Sequence, residues 1–144
     1  MTPTNKTTTP RRPRRRAQKE ITMSRSDQMS KTIRTLSTTT PDIEAAAVVD
    51  NDGLMMASSL PQDIEDDAVA AMSAALLGMS ERIVGELGRG SFELNMIRGD
   101  RGYTVLTRAG QEAVLMVLTT ATAKLGLVFL DIQRTAKEIA RILS

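Results

Sequence analysis

Apolar residues recur along the chain with two different periods, and each period predicts one kind of secondary structure. In the first patterned segment, Met29, Ile33 and Leu36 are separated by four and then three residues. This spacing predicts a short helix. We expect the helix to begin at a cap formed by Ser26 or Asp27 and to be ended by the threonine run at 37–40 and Pro41.

Two short apolar runs follow, with a turn between them. Residues 45–49 and 54–58 consist mainly of alanine, valine, leucine and methionine, and Asp52 and Gly53 lie between the runs. An Asp-Gly pair suits a tight hairpin, because glycine adopts a positive φ without a Cβ clash. We therefore expect the two runs to form antiparallel strands.

A long helix is predicted over residues 64–87, with Pro61 and several carboxylates at its start and Gly88 and Gly90 after its end. Placed at about 100° per residue, its apolar residues form two surfaces. We expect the bulky surface to pack on the sheet; it contains Val69, Met72, Leu76, Met79, Ile83 and Leu87. The second surface is a strip of small residues: Ala71, Ala74, Ala75, Gly78 and Gly85.

The strip of small residues is a candidate helix-to-helix contact, since small side chains let two backbones approach closely. In an antiparallel pair of helices crossing near Ala74 and Ala75, Asp67 would approach the partner's Arg82. The alternative is that alanine is present only as a good helix former and the strip faces water.

Three more strands and a helix complete the pattern. The strands are predicted over residues 92–98, 103–108 and 113–118, and the last of these has no polar residue, as expected for a central strand. In the first, Phe92, Leu94 and Met96 alternate with polar residues, which gives that strand one polar face. An amphipathic helix follows over residues 124–143. The order predicts an α/β (α+β) fold, with a five-stranded antiparallel sheet and helices on both faces.

The composition removes most catalytic chemistry. The 144 residues include no cysteine and no histidine, so neither thiolate nor imidazole groups are available for catalysis or metal binding. Residues 88–91 lack the lysine of a phosphate-binding loop, and the carboxylates of residues 63–67 lack the spacing of a cation-binding loop. We expect a protein that is not an enzyme and has no cofactor, metal or small-molecule substrate.

Four arginines are candidate cations of the kind that assist phosphoryl transfer in a partner's active site. Solvated surface arginine is the default interpretation of each; they are Arg82, Arg89, Arg98 and Arg101.

The net charge of +2 conceals two unequal parts. Residues 1–25 hold eight bases and one acid, whereas the remaining residues hold 11 bases and 16 acids. With only four apolar residues, the first 25 predict a disordered basic arm before a folded domain at 26–144. The arm could attract nucleic acid or an anionic membrane weakly and without specificity through Arg11, Arg12, Arg14, Arg15, Arg16 and Lys19.

Neither a secretory signal nor an apolar window long enough to span a membrane is evident, so we expect a cytoplasmic location.

Four stretches, in their order and spacing, resemble the Roadblock/LC7 family. They are residues 45–59 (AAAVVDNDGLMMASS), the long helix with its acidic start and alanine-rich middle, residues 113–118, and residues 124–142 (KLGLVFLDIQRTAKEIARI). The resemblance covers about residues 27–143. It implies a profilin-like fold that forms a homodimer through the long helices and third strands. It also implies that the protein binds and regulates small Ras-like GTPases or scaffolds larger assemblies.

By position, the resemblance assigns the dimer surface to the small strip, at Ala71, Ala74, Ala75 and Gly78, and to residues 92–98, which include Phe92, Leu94 and Met96. The leading hypothesis is therefore a homodimeric, non-enzymatic regulator or scaffold of a small Ras-like GTPase. The alternative is an adaptor tethered to nucleic acid or an anionic membrane by its basic arm.

Overall fold

A computed structural model describes residues 23–144. Residues 1–22, which make up most of the predicted basic arm, lie outside the described range. They include the six basic side chains that are predicted to contact an anionic partner. The elements are α1 (Arg25–Thr39), β1 (Ile43–Asp50), β2 (Met55–Ser58), α2 (Asp66–Glu86), β3 (Leu94–Gly99), β4 (Gly102–Ala109), β5 (Ala113–Thr119) and α3 (Leu125–Leu143). Their predicted types and order are confirmed.

Two local predictions concern the ends of the first elements. The predicted cap of α1 is wrong by at least two residues, because the hydroxyl of Ser24 accepts a hydrogen bond from the amide of Asp27 at 3.1 Å. The predicted hairpin turn is confirmed: Gly53 has a φ of 89°, and a carboxylate oxygen of Asp50 accepts hydrogen bonds from two amides in the turn. That carboxylate fixes the turn because it replaces backbone acceptors that the tight bend lacks.

The strands form one antiparallel sheet in the order β2-β1-β5-β4-β3. The predicted sheet is therefore confirmed, with β5 between β1 and β4. Met116 of β5, for example, lies opposite Ala47 of β1 and Leu106 of β4. Its central position explains why β5 is apolar at every residue before its last, since both of its faces are covered.

Helices cover both faces of the sheet and create two cores. Helices α1 and α3 pack on one face, where Ile33 and Ile132 meet Leu115 of β5. Helix α2 packs on the other face, where Leu77 meets alternate residues of the same strands, including Met116. Successive residues of β5 therefore belong to different cores, as a strand with a period of two requires.

The predicted orientation of α2 is wrong. The residues of α2 that are buried are small or polar apart from one leucine: Ala70, Ser73, Leu77 and Ser80. Four members of the bulky surface are between 51% and 65% exposed: Met72, Met79, Ile83 and Leu87. Only Val69 and Leu76 of that surface pack against the core. The sheet already supplies large side chains beneath the helix, so alanine and serine let α2 approach closely.

Helix α2 also corrects a second expectation. Among residues 23–144, it is long and apolar enough to cross a membrane by length and composition alone, whereas the sequence was expected to contain no such window. Only 22% of its most apolar stretch is buried within the chain. Most of this apolar stretch is therefore exposed in the single chain.

We predict that Gly102→Ala lowers the free energy of unfolding by about 3 kcal/mol. Gly102 has a φ of 151°, and an added Cβ would overlap the backbone carbonyl oxygen of Thr119. Urea unfolding followed by circular dichroism measures the loss. Gly126→Ala is the control, because its Cβ would meet nothing within 4 Å. Equal midpoints for the two variants would contradict the backbone contact.

Candidate functional site

The largest exposed apolar feature of α2 is a stripe along its outer side, which we call the α2 surface. It consists of Met72, Ala75, Met79 and Ile83. Steps of three and four residues keep these positions on one face, about 16 Å long. This face points to solvent because the opposite side of the helix, at Ala70 and Leu77, lies on the sheet.

Strand β3 lies beside the α2 surface at the edge of the sheet. Its residue Asn95 lies opposite Leu106, a member of the core under α2, so Asn95 and Ile97 point to the α2 side. The side-chain amide of Asn95 donates a hydrogen bond to the hydroxyl of Ser80 at 2.8 Å. Ile97 is 49% exposed. The edge strand therefore exposes an apolar side chain on the same side of the sheet as the α2 surface.

The outer edge of β3 adds hydrogen-bonding capacity to this surface. Among the described strands, β3 pairs with β4 alone. Its other edge therefore presents backbone amides and carbonyls that can pair with another strand. The site can do two things physically: bury apolar side chains and extend the sheet.

A polar network holds the second half of α2 in place. The guanidinium of Arg108, on β4, donates hydrogen bonds of 2.8 Å to the carboxylate of Glu81 on α2 and to the side chain of Asn51 in the β1–β2 turn. The Arg108 side chain is 25% exposed, so solvent screens this ion pair only in part. The network fixes the outward direction of the α2 surface.

The predicted strip of small residues lies beside the α2 surface. Ala71, Ala75 and Gly78 are exposed, whereas Ala74 is half-buried. A Cβ built on Gly53 would lie 3.5 Å from the Cβ of Ala74, so the β1–β2 turn covers this position. Ala71, Ala75 and Gly78 are therefore accessible to another helix, whereas the β1–β2 turn partly covers Ala74.

The charged residues predicted to flank the strip are at the surface. Asp67 is exposed in the first turn of α2. Arg82 is exposed in the last turns of the helix and lies 3.6 Å from Glu86. Since both side chains of this pair are about three-quarters exposed, at 77% and 73%, Arg82 is free to exchange this partner for another carboxylate.

The three predicted strand residues do not share one face. Phe92 precedes β3 and is buried in the core under α2, whereas Leu94 packs against the core on the α1 and α3 side. Met96 is 42% exposed and shares the face of Leu94. The predicted alternation is therefore confirmed for Leu94, Asn95 and Met96 and is wrong for Phe92, because the strand begins only at Leu94.

Sequence reasoning missed Met72, Met79, Ile83 and Ile97 as surface residues. The first three were assigned to the core because they are large and apolar. A usable signal was present, since α2 is apolar around most of its circumference and one sheet face can cover only one side.

Among the carboxylates of residues 63–67, Asp66 has a structural role in the first turn of α2, where it accepts a hydrogen bond from the hydroxyl of Ser58 at 3.0 Å. Within the described range, no three histidine, cysteine, aspartate or glutamate residues are grouped as a metal site would require.

We predict that Arg108→Met lowers the free energy of unfolding by about 1 kcal/mol, because it removes the partly buried ion pair with Glu81 and the hydrogen bonds to Asn51 and to the backbone carbonyl of Gln111. Thermal unfolding at low and high salt measures the effect. Arg134→Met is the control, since the Arg134 side chain is 78% exposed and its ion pair with Asp131 spans 3.3 Å. A loss no larger than that of the control would contradict the role of Arg108.

The comparisons with known proteins agree with this fold. The family model of the Roadblock/LC7 domain matches residues 29–119. The uncharacterized protein MJ1340 of Methanocaldococcus jannaschii is 41% identical over 100 residues, which are 69% of this chain and 87% of that protein.

Two solved structures share the architecture. Myxococcus xanthus MglB has a TM-score of 0.76 at 21% identity, over 82% of this chain and 89% of that one. Profilin IA of Acanthamoeba castellanii has a TM-score of 0.53 at 14% identity, over 78% of this chain and 96% of that one. The predicted profilin-like fold is confirmed. By its sequence match and its fold, the chain belongs to the Roadblock/LC7 family.

Proposed function

We propose that this protein is a non-enzymatic, cytoplasmic homodimer that binds a small Ras-like GTPase and acts as its regulator or scaffold. The observation that carries the proposal is the exposed α2 surface beside the edge of β3, in a chain that belongs to the Roadblock/LC7 family. The resemblance to that family implies both the dimer and the GTPase partner. The exposed surface supplies the physical reason for the dimer.

Two α2 helices would pair in opposite directions about a two-fold axis near Ala75. This small residue lies between Met72 and Met79, so Met72 would pack beside the partner's Met79, and the reverse contact follows by symmetry. The same axis brings Asp67 near the partner's Arg82. In a two-fold interface, each contact must occur twice with the roles of the two chains exchanged. The positions of Met72 and Met79, and of Asp67 and Arg82, are compatible with this requirement.

Burial gives the pairing its free energy. Met72, Met79 and Ile83 are each more than half exposed in the single chain, and fully burying such a side chain contributes about 1.5 to 3 kcal/mol. The two-fold axis doubles the number of side chains buried. Pairing of the two β3 edges would also cover an edge that otherwise favours aggregation.

We predict that Met79→Glu converts a dimer into a folded monomer, because it places a carboxylate within the apolar contact. Sedimentation velocity at micromolar concentration measures the change, and circular dichroism checks the fold. Met79 is a better position than Ala74 for this test, because Ala74 is half-buried against the turn of its own chain.

The matched control for the dimer test is Leu127→Glu, which changes a leucine of comparable exposure, 61%, on the opposite side of the sheet. This variant should sediment as the wild type does. A monomeric wild type would refute the dimer, and a dimeric Met79→Glu variant would place the interface elsewhere.

In this proposal the protein regulates the GTPase by binding its GDP-bound and GTP-bound states with different affinities. A binding partner can shift the equilibrium between two states only by the difference in its affinity for them. The dimer would present two copies of each surface element to the GTPase. In this proposal the chain contributes binding surface, and the GTPase contributes the nucleotide chemistry.

We predict that the protein binds at least one Ras-like GTPase of its own organism with affinities for the GDP-bound and GTP-analogue-bound forms that differ by about fivefold or more. Isothermal titration with each purified GTPase in both states measures this. The monomeric Met79→Glu variant should bind more weakly. Absence of binding to every such GTPase would refute the partner, whatever the oligomeric state.

A further inference from the structure

Helix α3 exposes a second regular stripe, on the opposite side of the sheet from the α2 surface. Its inner face packs in the core through Val128, Ile132 and Ile139. Its outer face repeats at steps of three and four residues and spans about 21 Å. We call this outer face the α3 ridge; it consists of Leu127, Leu130, Arg134, Lys137 and Arg141.

The two leucines of the α3 ridge are not used by the core. Leu127 is 61% exposed and Leu130 is 58% exposed, and they lie about one helical turn apart. Neither belongs to the α2 surface, so the proposed dimer leaves them uncovered. These adjacent leucines form a small exposed apolar patch on a helix whose other face is packed in the core.

The two helices on the α1 and α3 side of the domain are basic, and the loop before β1 adds one acid, Asp42, in a groove that Leu127 and Leu130 also line. Helices α1 and α3 together carry six lysines and arginines against three acids, whereas α2 carries one arginine against four acids. On the α3 ridge, Arg134 lies 3.3 Å from Asp131 and Arg141 pairs with Glu138. The remaining bases on this side include Lys31, Arg34 and Lys137, all exposed.

The chain also enters the domain on this basic side. Met23 and Ile142 line the same groove between α1 and α3, so the start of α1 lies near the end of α3. Residues 1–22, joined at Met23, contain seven lysines and arginines and one glutamate. The most basic segment of the sequence, residues 1–22, is therefore joined to the side of the domain that is formed by the basic helices α1 and α3.

We propose that the α1 and α3 side of the domain docks on an anionic lipid bilayer. Leu127 and Leu130 enter the boundary between headgroups and acyl chains, while Lys137 contacts lipid phosphates. The exposed guanidiniums of Arg134 and Arg141 exchange their carboxylate partners, Asp131 and Glu138, for phosphate. Exposed leucines on a helical face with adjacent bases are the pattern of an interfacial helix. The acidic α2 layer faces away from the membrane and stays available for protein contacts.

The leucines distinguish lipid from nucleic acid as the anionic partner. A nucleic-acid surface is recognised through phosphate contacts, polar readers and aromatic stacking. The N-terminal end of the α3 ridge instead offers two aliphatic side chains to its partner, and aliphatic side chains gain free energy only where water is excluded. A bilayer interface provides both this apolar region and the negative charge.

The test is vesicle co-sedimentation of the full chain, with neutral phosphatidylcholine vesicles and with vesicles that also contain about 30 mol% phosphatidylglycerol. The wild type should bind only the anionic vesicles, and about 0.5 M salt should release it. Leu127→Asp combined with Leu130→Asp should weaken binding about tenfold or more. Lys137→Glu should weaken it about tenfold.

Leu54→Asp is the matched control, because Leu54 is a 65% exposed leucine in the turn between β1 and β2. It should bind anionic vesicles as the wild type does. Circular dichroism and sedimentation velocity check that all variants remain folded and keep the wild-type oligomeric state, which separates this test from that of the dimer.

Three results would overturn the proposal. Unchanged binding by the double leucine variant would mean that residues 1–22 alone attach the chain to vesicles. Equal binding to neutral vesicles would remove the role of charge. Tighter binding to duplex DNA than to anionic vesicles would identify nucleic acid as the partner.

Discussion

The structure depends on one constraint, the need to cover both faces of β5. This strand pairs with β1 at one edge and with β4 at the other. Its residues from Ala113 to Leu118 are apolar on both faces, so exposing either face to water would be unfavourable. Helices α1 and α3 cover one face, and α2 covers the other. The three layers follow directly, and they give the domain two outer sides with different chemistry.

The α2 layer and the α1 and α3 layer differ in how much of their apolar surface packs on the sheet. The apolar residues of α2 that remain exposed form the candidate site. Helix α3 has one apolar face and places it inward, as Ile132 and Ile139 illustrate. Helix α2 packs a narrow inner face of alanine, serine and leucine and leaves Met72, Met79 and Ile83 outside. The same hydrophobic effect that folds the sheet therefore leaves free energy available for association at α2.

Charge divides along the same layers. The acids collect on α2 and the segment before it, while α1 and α3 are basic. In the proposed arrangement, apolar pairing supports the dimer at α2, and basic side chains with two leucines support a lipid contact at α3. Separation across the sheet lets one small domain use both surfaces at the same time, because neither contact covers the other.

The sequence by itself determined the elements, the turn at Gly53 and the central place of β5, because local spacing and turn chemistry decide these features. Only the tertiary structure decided which side of α2 faces out. A helix that is apolar around most of its circumference has no unique inward side in the sequence, and the fit of Ala70 and Ser73 against a sheet of larger side chains selects it. The tertiary structure also decided that Phe92 and Leu94 lie in different cores, on opposite faces of the sheet. A period of two applies only within a strand, and β3 begins at Leu94.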